Sequence, residues 1–200
     1  MKHLLIASIA SFFLLTTVHA AGDAEAGKSK SAMCAACHGP DGNSPAPTFP
    51  KLAGQHADYL AKQLAEYKSG ERQDATMNGM AAALSEQDIA DLAAFYASQK
   101  VTLGKAAEDK VAVGQAVYRA GNTATGVSAC AACHSPTGSG NPMANFPSLS
   151  GQHADYTVLQ LKAFRAGERV NDAGSMMRGV AKKMTDAEIE AVSQYIQGLH

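Results

Sequence analysis

The chain has 200 residues and a formal charge of −1, with 17 basic and 18 acidic side chains. This near-neutral balance argues against a nucleic-acid-binding protein, which needs a concentrated basic surface. Aromatic residues make up 6% of the chain and tryptophan is absent, so a small core would be marginal unless something else, such as a buried cofactor, helps to fill it.

The first twenty residues have the pattern of a secretory signal peptide. Lys2 precedes a mostly apolar run over residues 4–18, which is shorter than the roughly 20 residues of a membrane-spanning helix. Residues 18–20, Val-His-Ala, supply the small residues that a signal peptidase accepts. We expect cleavage after Ala20 and export of a chain without a transmembrane span; a retained N-terminal anchor is the alternative.

The rest of the chain consists of two copies of one domain. Cys-Ala-Ala-Cys-His occurs at 34–38 and again at 130–134. The pattern Phe-Pro-x-Leu-x-Gly-Gln-His-Ala-Asp-Tyr starts at Phe49 and again at Phe146. Because the order of the repeated blocks is kept, the sequence predicts a tandem duplication. The predicted boundaries are 1–20 for the signal peptide, 21–100 for the first domain, 101–110 for a polar linker and 111–200 for the second domain.

Both copies are predicted to be helical, so the expected fold class is all-α. Small and apolar residues in 23–33 and in 111–120 lead into the cysteine motifs, and helical spacing recurs after Tyr59. Ser85 and Thr185, each followed by acidic residues, are typical of helix N-caps, and each precedes a terminal amphipathic segment. No segment shows the sustained alternation of a strand.

Cys-x-x-Cys-His is the pattern of a covalent haem c attachment site. The two-residue gap lets one helical turn bring both thiols to the porphyrin vinyl groups as thioethers, and the next residue offers its imidazole to the iron. The sequence therefore predicts two covalently bound haem c groups. The predicted attachment and proximal residues are Cys34, Cys37 and His38 in the first copy, and Cys130, Cys133 and His134 in the second.

Three other uses of these cysteines are open to an exported protein. Two disulfides are common in such proteins, but they do not require a histidine after each second cysteine. A zinc site accepts histidine, but the two identical motifs lie at the start of separate domains, which does not fit one zinc site. A redox dithiol usually follows a strand, and no strand is apparent here. Haem attachment explains every cysteine and both histidines.

The second axial ligand is predicted to be a methionine in each copy. An electron carrier keeps both axial positions filled, and methionine raises the reduction potential relative to a second histidine. Alignment of the terminal helices pairs Met77 with Met177, each eight residues before its N-cap and in a loop that contains Gly or Asn. The remaining methionines of these segments are assigned to core packing: Met80, Met176 and Met184.

Two further repeated residues have predicted roles near the iron. His56 and His153 are the alternative ligands, but a polar residue near a helix start is usually solvent-facing, and we expect surface or haem-propionate contacts. A proximal histidine donates its free ring N–H to a carbonyl, which fixes the ring. Pro50 and Pro147, in the repeated Phe-Pro-x-Leu segment, are predicted to supply those carbonyls.

Over nearly the whole mature chain, these residues resemble the dihaem cytochrome c4 family. The segment CAACHGPDGNSPAPTFPKLAGQ and its counterpart CAACH…NFPSLSGQ carry the likeness. It implies two tandem class I cytochrome c domains with His–Met ligation, related by a pseudo-twofold axis with haem propionates facing each other. It also implies a periplasmic carrier, peripherally membrane-associated, between a respiratory donor complex and a terminal oxidase.

One segment departs from the pattern of that family. Four residues separate Arg72 from Met77, whereas seven separate Arg169 from Met177. The path of the first methionine segment is therefore open, and Met80 stays a minor candidate for the ligand.

The predicted function is one-electron transfer between protein partners, with no catalytic residues. The alternative is a dihaem enzyme, a peroxidase or sulfur-compound oxidoreductase, with one displaceable distal ligand. A haem-based sensor, or a subunit bound permanently to a dehydrogenase, is a third class.

The charges of the two halves differ. Residues 21–100 carry seven basic and ten acidic side chains, whereas residues 101–200 carry nine basic and eight acidic ones. We therefore expect a dipolar protein, which orients its docking with a charged partner. Because Arg178 follows Met177 whereas Asn78 follows Met77, we expect the second haem to have the higher potential.

Overall fold

The computed structural model describes residues 21–200, so the predicted signal peptide and its cleavage site lie outside the described residues. Within that range the regular structure is helical, and the β pairing is limited to the isolated bridges Asn122–Val127 and Asn141–Phe146. The all-α prediction is confirmed. No helix among residues 21–200 is long and apolar enough to cross a membrane.

Residues 21–100 fold into five helices around a small apolar core. They are α1 (Ala24–Lys30), α2 (Ala32–His38), α3 (Ala57–Ser69), α4 (Ala75–Ala81) and α5 (Glu86–Ala97). Helix α1 packs closely on α5 at Gly27, where a Cβ would overlap the carbonyl group of Asp91, so the contact requires glycine. The buried core residues are Leu60, Leu92, Ala93, Phe95 and Tyr96.

The second domain repeats this arrangement with a larger core. Its helices are α6 (Glu108–Ala120), α7 (Ala131–His134), α8 (Ala154–Ala166), α9 (Met176–Ala181) and α10 (Asp186–Gly198), with 3₁₀ turns at Pro142–Ala144 and Ala173–Ser175. Gly114 lies against the carbonyl group of Ala191 as Gly27 lies against that of Asp91. Tyr118, Ile189 and Val192 are completely buried at the centre of the core.

Both terminal helices begin at capping boxes, at the residues that the sequence predicted. The Ser85 hydroxyl accepts a hydrogen bond from the backbone N–H of Asp88, whose carboxylate accepts one from the backbone N–H of Ser85. Thr185 and Glu188 form the same pair at the start of α10. Each box satisfies two backbone donors that a helix start leaves free.

The segment between the domains is hydrogen-bonded to both of them. Asn43 in the first domain accepts a hydrogen bond from the backbone N–H of Thr102 at 2.7 Å. Gln197 in the second domain accepts one from the backbone N–H of Gly104 at 3.1 Å and donates one to the carbonyl of Lys105 at 2.6 Å. Helix α6 begins at Glu108, so the last three residues of the predicted linker are helical.

Reciprocal hydrogen bonds join the two domains. The backbone N–H of Lys51 donates to Oε1 of Gln152 at 2.9 Å, and Nε2 of Gln152 donates to the carbonyl of Lys51 at 2.9 Å. Gln55 and Ser148 make the same exchange at 2.8 and 2.9 Å. Lys51 is equivalent to Ser148 and Gln55 to Gln152 in the duplication, so the contacts have the symmetry of a pseudo-twofold axis.

Two arginines extend this symmetry, because each bonds a glutamine of both domains. Arg72 donates to Oε1 of Gln63 at 2.7 Å and of Gln160 at 2.9 Å. Arg169 donates to Gln160 at 2.7 Å and to Gln63 at 3.1 Å. Each guanidinium also donates across the interface to a tyrosine hydroxyl, that of Tyr156 or Tyr59. These acceptors are neutral, so among residues 21–200 the two charges are hydrogen-bonded without a carboxylate partner.

Candidate haem sites

The two cysteine motifs lie at helix ends that stop at their histidines. Helices α2 and α7 end at His38 and His134, and the following residues, Gly39 and Ser135, have positive φ angles of 79° and 68°. Cysteines three residues apart on a helix lie on the same face, with the histidine one position further. No disulfide joins the four cysteines, so each thiol is available for a thioether.

Each motif histidine is oriented by a proline carbonyl. Nδ1 of His38 lies 2.9 Å from the oxygen of Pro50, and Nδ1 of His134 lies 2.9 Å from that of Pro147. Burial lowers the pKa of both imidazoles, although the carbonyls act in the opposite direction. A neutral ring that donates through Nδ1 leaves the lone pair of Nε2 for a metal ion, and neither Nε2 has a hydrogen-bond partner among residues 21–200.

The repeated Phe-Pro segment also supplies a ring contact that the sequence did not reveal. Phe49 lies beside His38 and Phe146 beside His134, with ring centroids 6.2 Å apart in both pairs. The repeat itself was visible, but only its proline had a predicted role. The phenylalanine therefore helps to hold the imidazole that the proline carbonyl orients.

Met77 and Met177 lie on short helices, which corrects the prediction that they lie in loops. Met77 is the third residue of α4, whose N-cap Asp74 accepts hydrogen bonds from the backbone N–H groups of Thr76 and Met77. Met177 is the second residue of α9. The longer second segment contains the 3₁₀ turn Ala173–Ser175, which lies directly before α9 and accommodates its three additional residues.

One face of each short helix points inward. Met177, Ala181 and Met184 follow one another at i, i+4 and i+7; Met177 is partly buried against the second core, and the other two are 0% and 4% exposed. Met77 and Ala81 occupy the equivalent positions, partly and fully buried. The predicted core role of Met184 is confirmed, and Met80 is partly buried.

Met176 does not pack in the core as predicted. Its side chain is 47% exposed. Neighbouring residues of a helix point about 100° apart, so Met176 faces outward when Met177 faces the core. The alignment had placed Met176 opposite Thr76, which is also exposed.

His56 and His153 join the two domains, a role that the sequence did not indicate. Nε2 of His56 lies 2.8 Å from the carbonyl oxygen of Ser139, and Nε2 of His153 lies 2.8 Å from that of Ser44. Each histidine thus reaches the opposite domain, and His153 is partly buried rather than solvent-facing. The repeat of His-Ala-Asp-Tyr could not show what the other domain presents to it.

The groups that each domain presents fit a covalently attached haem. Each offers two thiols on one helical face, an imidazole with Nε2 free, and a methionine on a separate short helix. Cys34 packs against the first apolar core and Cys130 against the second, so one attachment point of each motif adjoins apolar side chains. Among residues 21–200, no three His, Cys, Asp or Glu side chains cluster as a protein-only metal site would require.

Comparison with known proteins agrees with two cytochrome c domains. The family model described as Cytochrome c matches residues 24–100 and 111–200. Cytochrome c4 of Pseudomonas aeruginosa is 50% identical over 201 residues and that of Azotobacter vinelandii 49% over 210, with 100% of each chain covered. The crystal structure of reduced recombinant cytochrome c4 from Pseudomonas stutzeri has a TM-score of 0.88 at 51% identity, covering 90% of this chain and 100% of that one. The chain therefore belongs to the cytochrome c4 family, and it is a dihaem electron-carrier cytochrome with two covalently bound haem c groups.

Proposed function

We propose that this cytochrome works in the periplasm, where it takes single electrons from a respiratory donor and passes them to a terminal oxidase or reductase. The observation that carries the proposal is the repetition of one complete set of groups in both domains: two thiols, an oriented imidazole and a methionine. When bound, each haem supplies reversible one-electron exchange at its iron. The protein supplies attachment, axial ligands and the relative placement of the two sites.

The proposed residue roles follow the duplication. The thiols that attach the haems are Cys34, Cys37, Cys130 and Cys133. The proximal ligands are His38 and His134, held by the carbonyls of Pro50 and Pro147. The distal ligands are Met77 and Met177. Methionine coordination stabilises the reduced iron relative to histidine coordination, which suits a carrier at the high-potential end of a respiratory chain.

The helices that carry the methionines are anchored, which favours a carrier over an enzyme. Asn78, next to Met77, donates hydrogen bonds to the carbonyls of Tyr67 and Arg72 at 2.6 and 2.9 Å. The backbone N–H of Arg178, next to Met177, donates to Asp172 at 2.9 Å. A dihaem enzyme needs a distal ligand that leaves readily, and a fixed ligand leaves no position for a substrate.

The interface between the domains supports electron exchange between the two haems. The reciprocal bonds of Lys51, Gln55, Ser148 and Gln152 fix the orientation of one domain relative to the other. Each of these residues lies within a few positions of the proline that orients a motif histidine. We propose that the interface keeps the two sites at a constant separation, so that an electron entering one domain can leave from the other.

The test combines intact mass spectrometry with ligand binding. The mass of periplasmic material should equal a chain that begins at Ala21 plus two haems. Carbon monoxide added to the reduced protein, and cyanide added to the oxidised protein, should bind slowly if Met77 and Met177 hold the two irons as proposed. Rapid binding at one haem would favour the enzyme, and a mass with one haem or an uncut N-terminus would contradict the proposal.

A further inference from the structure

The helix that carries Met177 has an outward face that is open to solvent. Met176, Gly179 and Lys183 are spaced i, i+3 and i+7 along α9 and just beyond its end, so they lie on one side of it. All three are exposed, and a Cβ added at Gly179 would meet nothing within 4 Å. The opposite side of the helix carries Met177. A protein resting on the outward face would therefore be separated from the proposed ligand by a single short helix.

The equivalent face of the first domain is also exposed and lined by small residues, but it carries no charged side chain of its own. Thr76, Gly79 and Ala83 take the corresponding positions, and Gly79 also has open space around it. Residues 77–84 contain no charged side chain, whereas the matching stretch 177–184 contains Arg178, Lys182 and Lys183. The duplication has thus given two similar surfaces of different chemistry.

Two lysines give the second face its positive charge. Arg178 is neutralised by Asp172, whose Oδ1 lies 2.7 Å from its Nε and whose side chain is 4% exposed. Lys182 and Lys183 are exposed and have no ion pair among residues 21–200. Nζ of Lys183 donates to the carbonyl of Gly126 at 3.0 Å, in the segment that leads into the second cysteine motif. The charge therefore lies where the methionine helix meets the approach to that motif.

We propose that this cationic face, formed by Met176, Gly179, Lys182 and Lys183, is the docking surface for an acidic redox protein. The inference rests on the electron-carrier function, since it places the partner over the helix of Met177. Exposed methionine beside charged residues resembles a transient interface with an apolar centre and a polar rim. The two lysines attract and orient a negatively charged partner. The equivalent face of the first domain has Ala82 and Ala83 in place of the two lysines, so the acidic partner exchanges electrons with the second domain.

An anionic membrane offers the same charge as an acidic protein, but it suits this face less well. Membrane recognition by electrostatics uses clusters of roughly four to eight basic residues, and this face has two unpaired lysines. A bilayer would also cover the helix that carries Met177 and keep redox partners away from it. The geometry therefore favours a protein.

Amide chemical shifts of the holoprotein, followed while poly-L-glutamate is added, test the proposal with a defined acidic probe. At low salt, residues 176–183 should shift and residues 76–83 should not, and high salt should abolish the effect. Lys182→Ala with Lys183→Ala copies the first domain and should weaken binding roughly tenfold. Ala82→Lys with Ala83→Lys should create new shifts at residues 76–83.

A charge-matched control separates the position of the lysines from their number. Lys105→Ala with Lys110→Ala removes two charges elsewhere in the second half of the chain and should leave the shifts at residues 176–183 in place. If this control weakens binding as much as the Lys182 and Lys183 pair, net charge alone explains it and the docking face is wrong. If phosphatidylglycerol vesicles change the amide chemical shifts of residues 176–183 and poly-L-glutamate does not, the partner of this face is an anionic membrane and the proposal of an acidic protein is wrong.

Oxidation of the reduced holoprotein by hexacyanoferrate(III), an anionic one-electron oxidant, distinguishes failure of this inference from failure of the carrier function. Each ferrous haem gives one electron to one hexacyanoferrate(III), which becomes hexacyanoferrate(II). The Lys182 and Lys183 pair of substitutions should slow oxidation through the second haem about fivefold at low salt, whereas the Lys105 and Lys110 pair should not. Unchanged rates at both haems would overturn the docking face alone, whereas a haem that exchanges no electrons would contradict the carrier function.

Discussion

Asp74 and Asp172 place a carboxylate beside each proposed methionine ligand, but only one of the two is neutralised. Asp172 is ion-paired with Arg178, so the charge of Arg178 that the sequence singled out is largely cancelled. Asp74 accepts a hydrogen bond from the backbone N–H of Met77 at 2.9 Å and has no ion pair among the residues described. An uncompensated anion favours the oxidised haem, so the second haem is still expected to have the higher potential, for a different reason.

The matching prediction is that Asp74→Asn raises the potential of the first haem. A unit charge at ~10 Å with an effective dielectric constant of ~20 contributes roughly 1.7 kcal/mol, and solvent screening reduces the effect to tens of millivolts. Asn keeps the N-cap oxygen, so α4 should persist. Asp58→Asn, on the exposed start of α3, is the control. A first haem whose potential falls or stays constant would refute the charge argument.

Single substitutions distinguish the methionines that bind iron from those that pack in the core or lie on the surface. Met77→Ala or Met177→Ala should each remove half of the absorption band from methionine sulfur to ferric iron and lower one potential, because the thioether stabilises ferrous iron. Met184→Ala should cost about 2–5 kcal/mol of stability, since Met184 is 4% exposed, and should leave the band. Met176→Ala should change neither. Loss of a band in Met80→Ala would show that the first ligand is wrongly assigned.

At the scale of elements, the sequence predicted helices best where local chemistry specifies them. The capping boxes at Ser85 and Thr185 depend on residues within one turn, so they were visible as a pattern. The short methionine helices were not, because six or seven residues with Gly and Asn have too little periodicity to distinguish from a loop. Their starts depend on the Asp74 side chain in one domain and on a 3₁₀ turn in the other.

Helix α1 is attached to α5 by an acidic residue, Asp91, that the second domain lacks. Asp91 accepts hydrogen bonds from the backbone N–H of Asp23, from Lys30 and from Gln87. The backbone N–H of Asp23, then Lys30 and Gln87, lower the pKa of Asp91 to about 2. The equivalent residue in the second domain is Ala191, so this contact belongs to the first domain alone.

We therefore predict that acid loosens α1 before α6. A carboxylate whose pKa is lower in the folded state stabilises it above the unfolded pKa, about 3.9, and that contribution is lost as the pH falls toward about 2. Hydrogen exchange of α1 amides should accelerate relative to α6 between pH 4 and pH 2. Asp91→Ala, which copies Ala191, should reduce this difference in pH dependence, because only the ion pair of Lys30 with Asp88 then remains. Equal acceleration in both helices of the unsubstituted protein would contradict the account.

At the scale of the whole molecule, the duplication was readable from the sequence but the interface was not. The repeat at Cys34 and Cys130 predicted two similar domains, and the structure has them. The sequence also repeats Gln63, Arg72 and His56 in the second domain, but it does not show that each of them hydrogen-bonds a residue of the opposite domain. A repeat shows what each copy contains, whereas contacts between copies depend on how the copies are oriented.

The interface prediction concerns Gln63, whose Oε1 accepts hydrogen bonds from Arg72, Arg169 and Asn171. Gln63→Leu removes that acceptor and should destabilise the interface by about 1–3 kcal/mol, because buried donors lose their partner. Denaturant unfolding followed by a probe in each domain should then separate into two transitions. Gln73→Leu, at an exposed position, is the control. Coincident, unshifted transitions in Gln63→Leu would show that the network does not couple the domains.

A spectroscopic redox titration of the holoprotein, repeated for Met77→Ala and Met177→Ala, shows whether the chain is a carrier with two His–Met haems. We expect two one-electron steps in the unsubstituted protein, both from six-coordinate haems with a methionine band. Each substitution should lower one step, and the lower of the two original potentials should belong to the haem affected by Met77→Ala. A single step, a haem that lacks the methionine band before substitution, or a substitution that leaves both steps unchanged would contradict a carrier with two His–Met haems.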